Sequence, residues 1–396
     1  MFQKSIRFLC LFCLFIFAQN GIAQNNFKFD ESNYQTIIMR SKAEKKPVFL
    51  MLYATWCPHC NKMKKDVLTD TLVTNLLSKN YIYAWQDIDK PEGIMLKEKF
   101  KITSMPTFIF LDSNENELYR LNSEYKTANF VEEIKNALDS KKQLPYLENQ
   151  FSKDPSNADK WLSYMNVLKK GRNRSYVSEK AHKYLETQSE TQLLSETNWR
   201  IISNGVTDIS SREFQFVLHH QKEFAAISSP ERVYRKITNI VTELLEPYTE
   251  SLDTIHYFKK REIAKTIHTQ KIDSLIFTYD IAIAERTGNW SSYRKTTLES
   301  TEKFAWNNAS LLKDVAKNYL QHIVDIESLK QAIKWTNHSL ELNDSFDGNL
   351  LLSQLYLKIK DENSAIQFAR KAKDICTGLG CNSKDIDELF IELGIK

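Results

Sequence analysis

The sequence predicts an α/β domain followed by an all-α domain, on three observations. A short apolar run, Pro47-Val48-Phe49-Leu50-Met51-Leu52-Tyr53, hands over to an amphipathic one, Lys62-Met63-Lys64-Lys65-Asp66-Val67-Leu68, and strand-like and helix-like segments go on alternating to about residue 142. Past Leu144-Pro145 prolines become few and helical periodicity takes over. Only 9 Gly and 8 Pro occur in 396 residues, which favours long helices with few sharp turns, and the length allows two or three domains.

At the N-terminus Lys4 and Arg7 precede an apolar run over residues 8–18, then Gly21-Ile22-Ala23. A basic start, a short apolar stretch and a small-x-small pattern predict a cleaved signal peptide, residues 1–23, too short to span a bilayer comfortably. Its loss takes the net charge from +4 to +2, with 52 basic against 50 acidic residues. That balance, spread along the chain, leaves no footprint for nucleic acid or an anionic membrane. Cys10 and Cys13 leave with the signal, and Cys57, Cys60, Cys376 and Cys381 stay. An even count in an exported chain fits a disulfide-permissive compartment, the periplasm.

Residues 24–142 form the expected first domain. A helix over 32–43 puts Tyr34, Ile37 and Ile38 on one face; the strand over 47–53 follows. Leu72, Val73, Leu76 and Leu77 mark the next helix, 81–85 a strand, and Pro91 opens a helix to Phe100. Residues 107–111 read as a buried strand, 112–116 as a turn and 117–122 as an edge strand. A closing helix over 127–140 directs Phe130, Val131, Ile134, Ala137 and Leu138 inward.

Between the first strand and the helix after it lies Trp56-Cys57-Pro58-His59-Cys60. Cys57 falls near a helix N-terminus, where unpaired N–H groups and the dipole favour negative charge on sulfur. Cys60 lies about one turn on, within reach of a mixed disulfide on Cys57, as thiol–disulfide exchange requires. His59 can donate to, or when protonated pair with, a Cys57 thiolate, which stabilises the reduced form. Half a zinc site is the rival reading. It needs two more ligands, and no second CxxC or His pair lies within reach, so neither metal nor cofactor is expected.

These residues resemble the thioredoxin family, whose signature is Trp-Cys-x-x-Cys after an apolar strand. Ser104-Met105-Pro106-Thr107 matches its second landmark, a cis-proline before a strand. The resemblance implies a thioredoxin fold, a central mixed sheet flanked by helices, most similar to exported domains of the DsbD C-terminal type. It implies Cys57 as nucleophile, Cys60 as resolver, and Trp56, Met105 and Pro106 bordering the substrate. DsbA-type oxidants share the Pro58-His59 dipeptide. Two departures stand out. The family's buried acid six residues before the first cysteine is Met51 here, and Leu121-Asn122-Ser123-Glu124-Tyr125 lacks the glycine that many members carry.

Residues 143–396 form the expected helical domain. Asp154-Pro155-Ser156-Asn157 signals a helix start, with Trp161, Tyr164, Met165 and Leu168 on one face; further helices are expected over 211–224, 231–245 and 272–285, with a turn at Gly288. Leu352, Tyr356, Ala365 and Ala372 fit tetratricopeptide spacing, and Ala332 lies 33 residues before Ala365, so residues 327–376 resemble that repeat. An ordinary helical bundle is the alternative. Cys376-Thr377-Gly378-Leu379-Gly380-Cys381 is a candidate structural disulfide at a helix end; free thiols or a relay pair are the other readings.

The whole predicts an exported thiol–disulfide oxidoreductase of undetermined direction. Its partners would be protein thiols and disulfides, a membrane or soluble redox partner, and a protein docked on the helical domain. The rival is a redox-sensing or partner-binding adaptor in which the helical domain does the main work.

Overall fold

The computed structural model describes residues 28–395; the expected signal peptide lies outside them. Strand β1, Val48–Tyr53, is buried at every position. A strand covered on both faces reads as a continuous apolar run instead of an alternating one. It pairs in parallel with β2, Ile82–Asp87, and antiparallel with β3, Thr107–Leu111. Antiparallel β4, Glu117–Asn122, completes a four-stranded mixed sheet of order β2-β1-β3-β4. On one side of the sheet, Phe49 stacks on Phe108 at 5.9 Å between centroids and meets Phe110 at 5.3 Å and Phe130 at 6.2 Å. Such pairs add about 0.5–1.5 kcal/mol each beyond their buried area.

Helix α1, Tyr34–Glu44, is capped by the Asn33 side chain and buries Tyr34, Ile37 and Ile38. Helix α2, Pro58–Lys62, follows β1 directly. Where the sequence predicts one regular helix over 62–68, the backbone widens into a π turn over Met63–Val67, with Leu68 N–H donating to Met63 O at 2.8 Å. Helices α3, Thr71–Asn80, and α4, Pro91–Lys99, complete the crossovers. In α5, Thr127–Leu138, Phe130, Ile134 and Ala137 are buried, but Val131 is half-buried and Leu138 is 39% exposed. Ala137 takes the inward place; Leu138, about 100° further round the helix, falls outside it.

Helices α6, Leu144–Lys153, and α7, Ala158–Gly171, pack against β4. Asn122 Nδ2 donates to Gly171 O at 3.0 Å, and the Lys170 ammonium reaches Glu133 at 2.7 Å and the Tyr119 hydroxyl at 2.8 Å. Gly171 lies so close to β4 that a Cβ there would sit 2.3 Å from Arg120 Cγ. The first compact unit therefore runs to Val177, and a second begins at Ser178.

The second unit is all-α among the described residues. The expected helices over 231–245 and 272–285 are Pro230–Glu250 and Gln270–Arg286. The one expected over 211–224 is two, Arg212–His219 and Gln221–Ile227. Two histidines mark the break. His219 Nδ1 lies 2.7 Å from Gln215 O and His220 Nδ1 lies 3.1 Å from Phe216 O, so both imidazoles occupy carbonyls of the last turn. Further on, Ile326–Leu342, Phe346–Lys358 and Glu362–Leu379 bury Ala332, Leu352, Ala365 and Ala372 completely. Ser353 Oγ donates to Ala365 O at 2.7 Å, a close helix approach that a larger residue at 365 would obstruct. No helix among the described residues is long and apolar enough to cross a membrane.

Candidate active site

Cys57 is the N-cap of α2, with extended φ −82° and ψ 113°, and Pro58 opens the helix with no N–H to satisfy. The Cys57 sulfur takes the place of a capping oxygen: Cys60 N–H donates to it at 3.3 Å. Cys57 Sγ also lies 3.8 Å from Met105 O, and the Met105–Pro106 peptide is cis. The structure thus brings together Cys57, Cys60, Met105 and Pro106. Trp56 stands beside them, 64% exposed, with its indole Nε1 donating to Asp89 Oδ2 at 2.8 Å. Both cysteines are free thiols; Cys57 is 5% exposed and Cys60 fully buried. Burial, and then the hydrogen bond with Cys57, push the Cys60 thiol up to about 12. The outer sulfur is the one a substrate can reach, and the inner one holds its proton.

His59 is placed differently from the sequence expectation. Its Nδ1 lies 2.8 Å from Glu124 Oε2, and the Lys62 ammonium lies 2.8 Å from Glu124 Oε1. Hydrogen bonds from Lys62 and His59 hold the Glu124 carboxyl below its ordinary value. Glu124 belongs to the segment after β4 where the family resemblance leads one to expect a glycine. Ser123 there adopts φ 78° without one. Tyr125 N–H completes the fit on Met63 Sδ at 3.2 Å. Sequence reading missed Glu124; its signal was an acidic residue in the segment that lacks the expected glycine.

A second missed residue is Lys64. Met51, at the position where many relatives carry an acid, is fully buried in β1. Lys64 lies one turn beyond Cys60, and helical side chains lean back toward the N-terminus, over the preceding turn. Its ammonium sits 3.7 Å from the Tyr53 ring centroid and 3.8 Å from that of Trp85. Burial pushes it below its ordinary value, while the carboxylates of Glu31 and Asp87 act the other way. Its charge in turn favours the Cys60 thiolate.

Cys376 and Cys381 form a disulfide with Cα atoms 5.1 Å apart, at the C-terminal end of Glu362–Leu379, where Gly380 supplies the left-handed cap at φ 65°.

Residues 34–138 match the family model for a thioredoxin-like domain. This chain carries a thioredoxin-like domain. The chain is 30% identical over 122 residues to thiol:disulfide interchange protein DsbD of Yersinia pestis, covering 30% of this chain and 20% of that protein. It is 38% identical over 72 residues to thioredoxin-1 of Drosophila melanogaster, covering 18% of this chain and 63% of that one. Among solved structures, a solution structure described as a putative disulphide-isomerase from Bacteroides thetaiotaomicron shares 26% identity, covering 29% of this chain and 94% of that one, with a TM-score of 0.27. The chain spans a fifth or less of the length of the DsbD proteins it matches. The thioredoxin-like domain is homologous to thiol:disulfide interchange proteins, and an all-helical region follows it.

Proposed function

We propose that the protein is an exported thiol–disulfide oxidoreductase that exchanges disulfides with protein substrates through Cys57-Pro58-His59-Cys60. The observation that carries this reading is the Cys57 sulfur seated as a helix cap, with Cys60 N–H directed at it. In the reducing direction the Cys57 thiolate attacks a substrate disulfide. One S–S bond breaks as a mixed disulfide forms, and the first substrate sulfur leaves as a thiolate that takes a proton from water. Cys60 then loses its proton and attacks Cys57 Sγ, releasing the second substrate thiolate and closing the Cys57–Cys60 disulfide. The substrate gains two electrons, which a dithiol partner must restore. Run backward, the same steps oxidise a substrate dithiol.

Cys60 is the step that needs help, because its thiol is buried and holds its proton tightly. Lys64 supplies the nearby positive charge and, when neutral, a place for that proton. Trp56, Met105 and Pro106 border the groove where an extended substrate segment would lie. The leader over residues 1–23 would deliver the chain to the periplasm. The helical region, tetratricopeptide-like over 327–376, would present the domain to a protein partner.

The test is insulin-disulfide reduction by the mature protein beside Cys57→Ser, with the reduction potential of the Cys57/Cys60 pair fixing direction. Turnover that vanishes in Cys57→Ser supports the proposal. Equal turnover in both proteins removes it.

A further inference from the structure

A polar cavity lies in the first compact unit, at the outer edge of the sheet. It measures about 340 Å³, and its wall includes Lys101, Glu117, Arg120, Arg172, Asn173 and Tyr176. Its charges do not balance. Arg120 is only 4% exposed, and its guanidinium grips Glu117 through Nε at 3.1 Å and Nη2 at 2.6 Å, with Nη1 donating to Phe100 O at 2.8 Å. Arg172 Nη2 reaches the same carboxylate, Glu117 Oε1, at 2.8 Å. Two guanidiniums therefore share one carboxylate. Lys101 adds a third positive charge from an exposed position at the rim. Lys99 also lines the cavity, but its ammonium is engaged by Glu115.

Two further features mark the cluster as strained for charge. Arg172 Nε is buried and has no hydrogen-bond partner. A buried donor left unpaired costs about 1–3 kcal/mol, and more when the group is charged. Asn173 and Tyr176 belong to the opening turn of helix Arg174–Leu185, where Asn173 Oδ1 accepts from Tyr176 N–H at 2.9 Å. The positive end of that twelve-residue helix adds to the field at the cavity. Burial works against the Arg120 charge, Glu117 supports it, and Arg172 opposes it.

We infer that this cavity is a binding site for a small polyanion carrying phosphate or carboxylate groups. Such a ligand would balance the second guanidinium and meet Lys101 at the rim. Planar guanidinium forks suit oxyanions better than they suit halide or sulfur ligands. Thr107 lines the same cavity and follows Pro106 directly, donating through Oγ1 to Ser104 O at 2.7 Å. The ligand would thus rest against the root of the loop that faces Cys57. The inference stands on the cavity's own charges and does not depend on the exchange activity.

Calorimetric titration of the full mature protein with pyrophosphate at low salt tests it, with citrate as a competitor to separate phosphate from carboxylate preference. The expected result is saturable binding that weakens with salt. Lys101→Ala and Arg172→Gln should each weaken it about tenfold, the equivalent of ~1.4 kcal/mol. Lys101 is exposed, so its variant probes charge without disturbing packing. Glu117→Gln, which removes the competing carboxylate, should lower the melting temperature of the free protein, tighten pyrophosphate binding and regain stability when pyrophosphate is added. No saturable uptake, or uptake that Lys101→Ala and Arg172→Gln leave unchanged, would show that the cluster only clamps α7 to β4 and would overturn the site.

Discussion

The two cysteine pairs occupy opposite ends of helices, and the difference sets the pair proposed to react apart from the one closed as a disulfide. Cys57 caps a helix N-terminus, with an N–H directed at its sulfur. Cys376 lies in the last turn of its helix, where the negative end of the dipole disfavours a thiolate. Cys57 touches the loop at Met105, where substrate is proposed to lie, and Cys60 behind it is sealed from water. In the other pair, Cys376 is 1% exposed and Cys381 N–H donates to Cys376 O at 3.1 Å, closing a small loop. Both pairs are short in sequence. What distinguishes them is which end of a helix holds the first sulfur.

The sharpest way to break this comparison is to remove the second sulfur of each pair. Cys60→Ser should leave Cys57 able to attack and unable to resolve, so a covalent complex with a protein disulfide should accumulate on a non-reducing gel. Cys381→Ser frees Cys376, which is buried at the unfavourable helix end, and should yield no such complex while exchange stays at the wild-type rate. Comparable trapping by both variants would mean that helix polarity does not decide reactivity here.

Next in size is Lys64. Replacing it by Met removes a positive charge and a proton acceptor one turn from Cys60 but keeps the aliphatic stem against Tyr53 and Trp85. The lifetime of the mixed disulfide should lengthen about a hundredfold at neutral pH, the low end of what a positioned proton-transfer group contributes. Alkylation of Cys57 should change little. Because the Cys60 thiol is pushed up to about 12, the variant's defect should shrink as pH rises and hydroxide takes over proton removal. A defect that is flat with pH would assign Lys64 a packing role only.

The comparison also assigns exchange to the first unit alone. A chain of residues 24–177 should keep full activity on a small disulfide. One ending at 142 loses α6 and α7 and returns to water the apolar surface they cover beside β4. It should be less stable by about 2 kcal/mol or more, reckoned at ~25 cal/mol per Å² of apolar surface exposed, and melt several degrees lower. Equal melting temperatures would place the end of the folding unit at residue 142.

Much of this was legible in the sequence, for identifiable reasons. The run over 48–53 announces a central strand because every side chain in it is buried, and Trp56-Cys57-Pro58-His59-Cys60 carries its chemistry in five adjacent letters. Lys64 and Glu124 were hidden because their roles are set by tertiary geometry. A lysine among lysines reads as a solvated face until the Tyr53 and Trp85 rings are seen beneath it. Glu124 lies 65 residues from His59 and meets it only once β4 is laid on β3. The tie between β4 and α7 was equally invisible, since it rests on Gly171 meeting the Arg120 side chain.

The smallest expected effect belongs to Glu124. Its carboxylate draws the His59 imidazole and the Lys62 ammonium to itself, on the rim of the reactive turn. Glu124→Gln would release His59 to approach Cys57 and would remove a negative charge from its surroundings. Both changes favour the thiolate and hence the reduced form, so the Cys57/Cys60 pair should become more oxidising. The site is exposed and screened, so the rise should be the smallest of these effects. The pH dependence fixes the cause. Lys62 and His59 hold the Glu124 carboxyl below its ordinary value, so its influence is complete above the ordinary carboxylate range and fades as pH falls through the lowered one. Wild type and variant should therefore differ in potential at neutral pH and converge in acid, where Glu124 is protonated and resembles glutamine. A difference that persists unchanged in acid, or a shift toward a more reducing pair, would show that Glu124 acts through loop shape and not through charge.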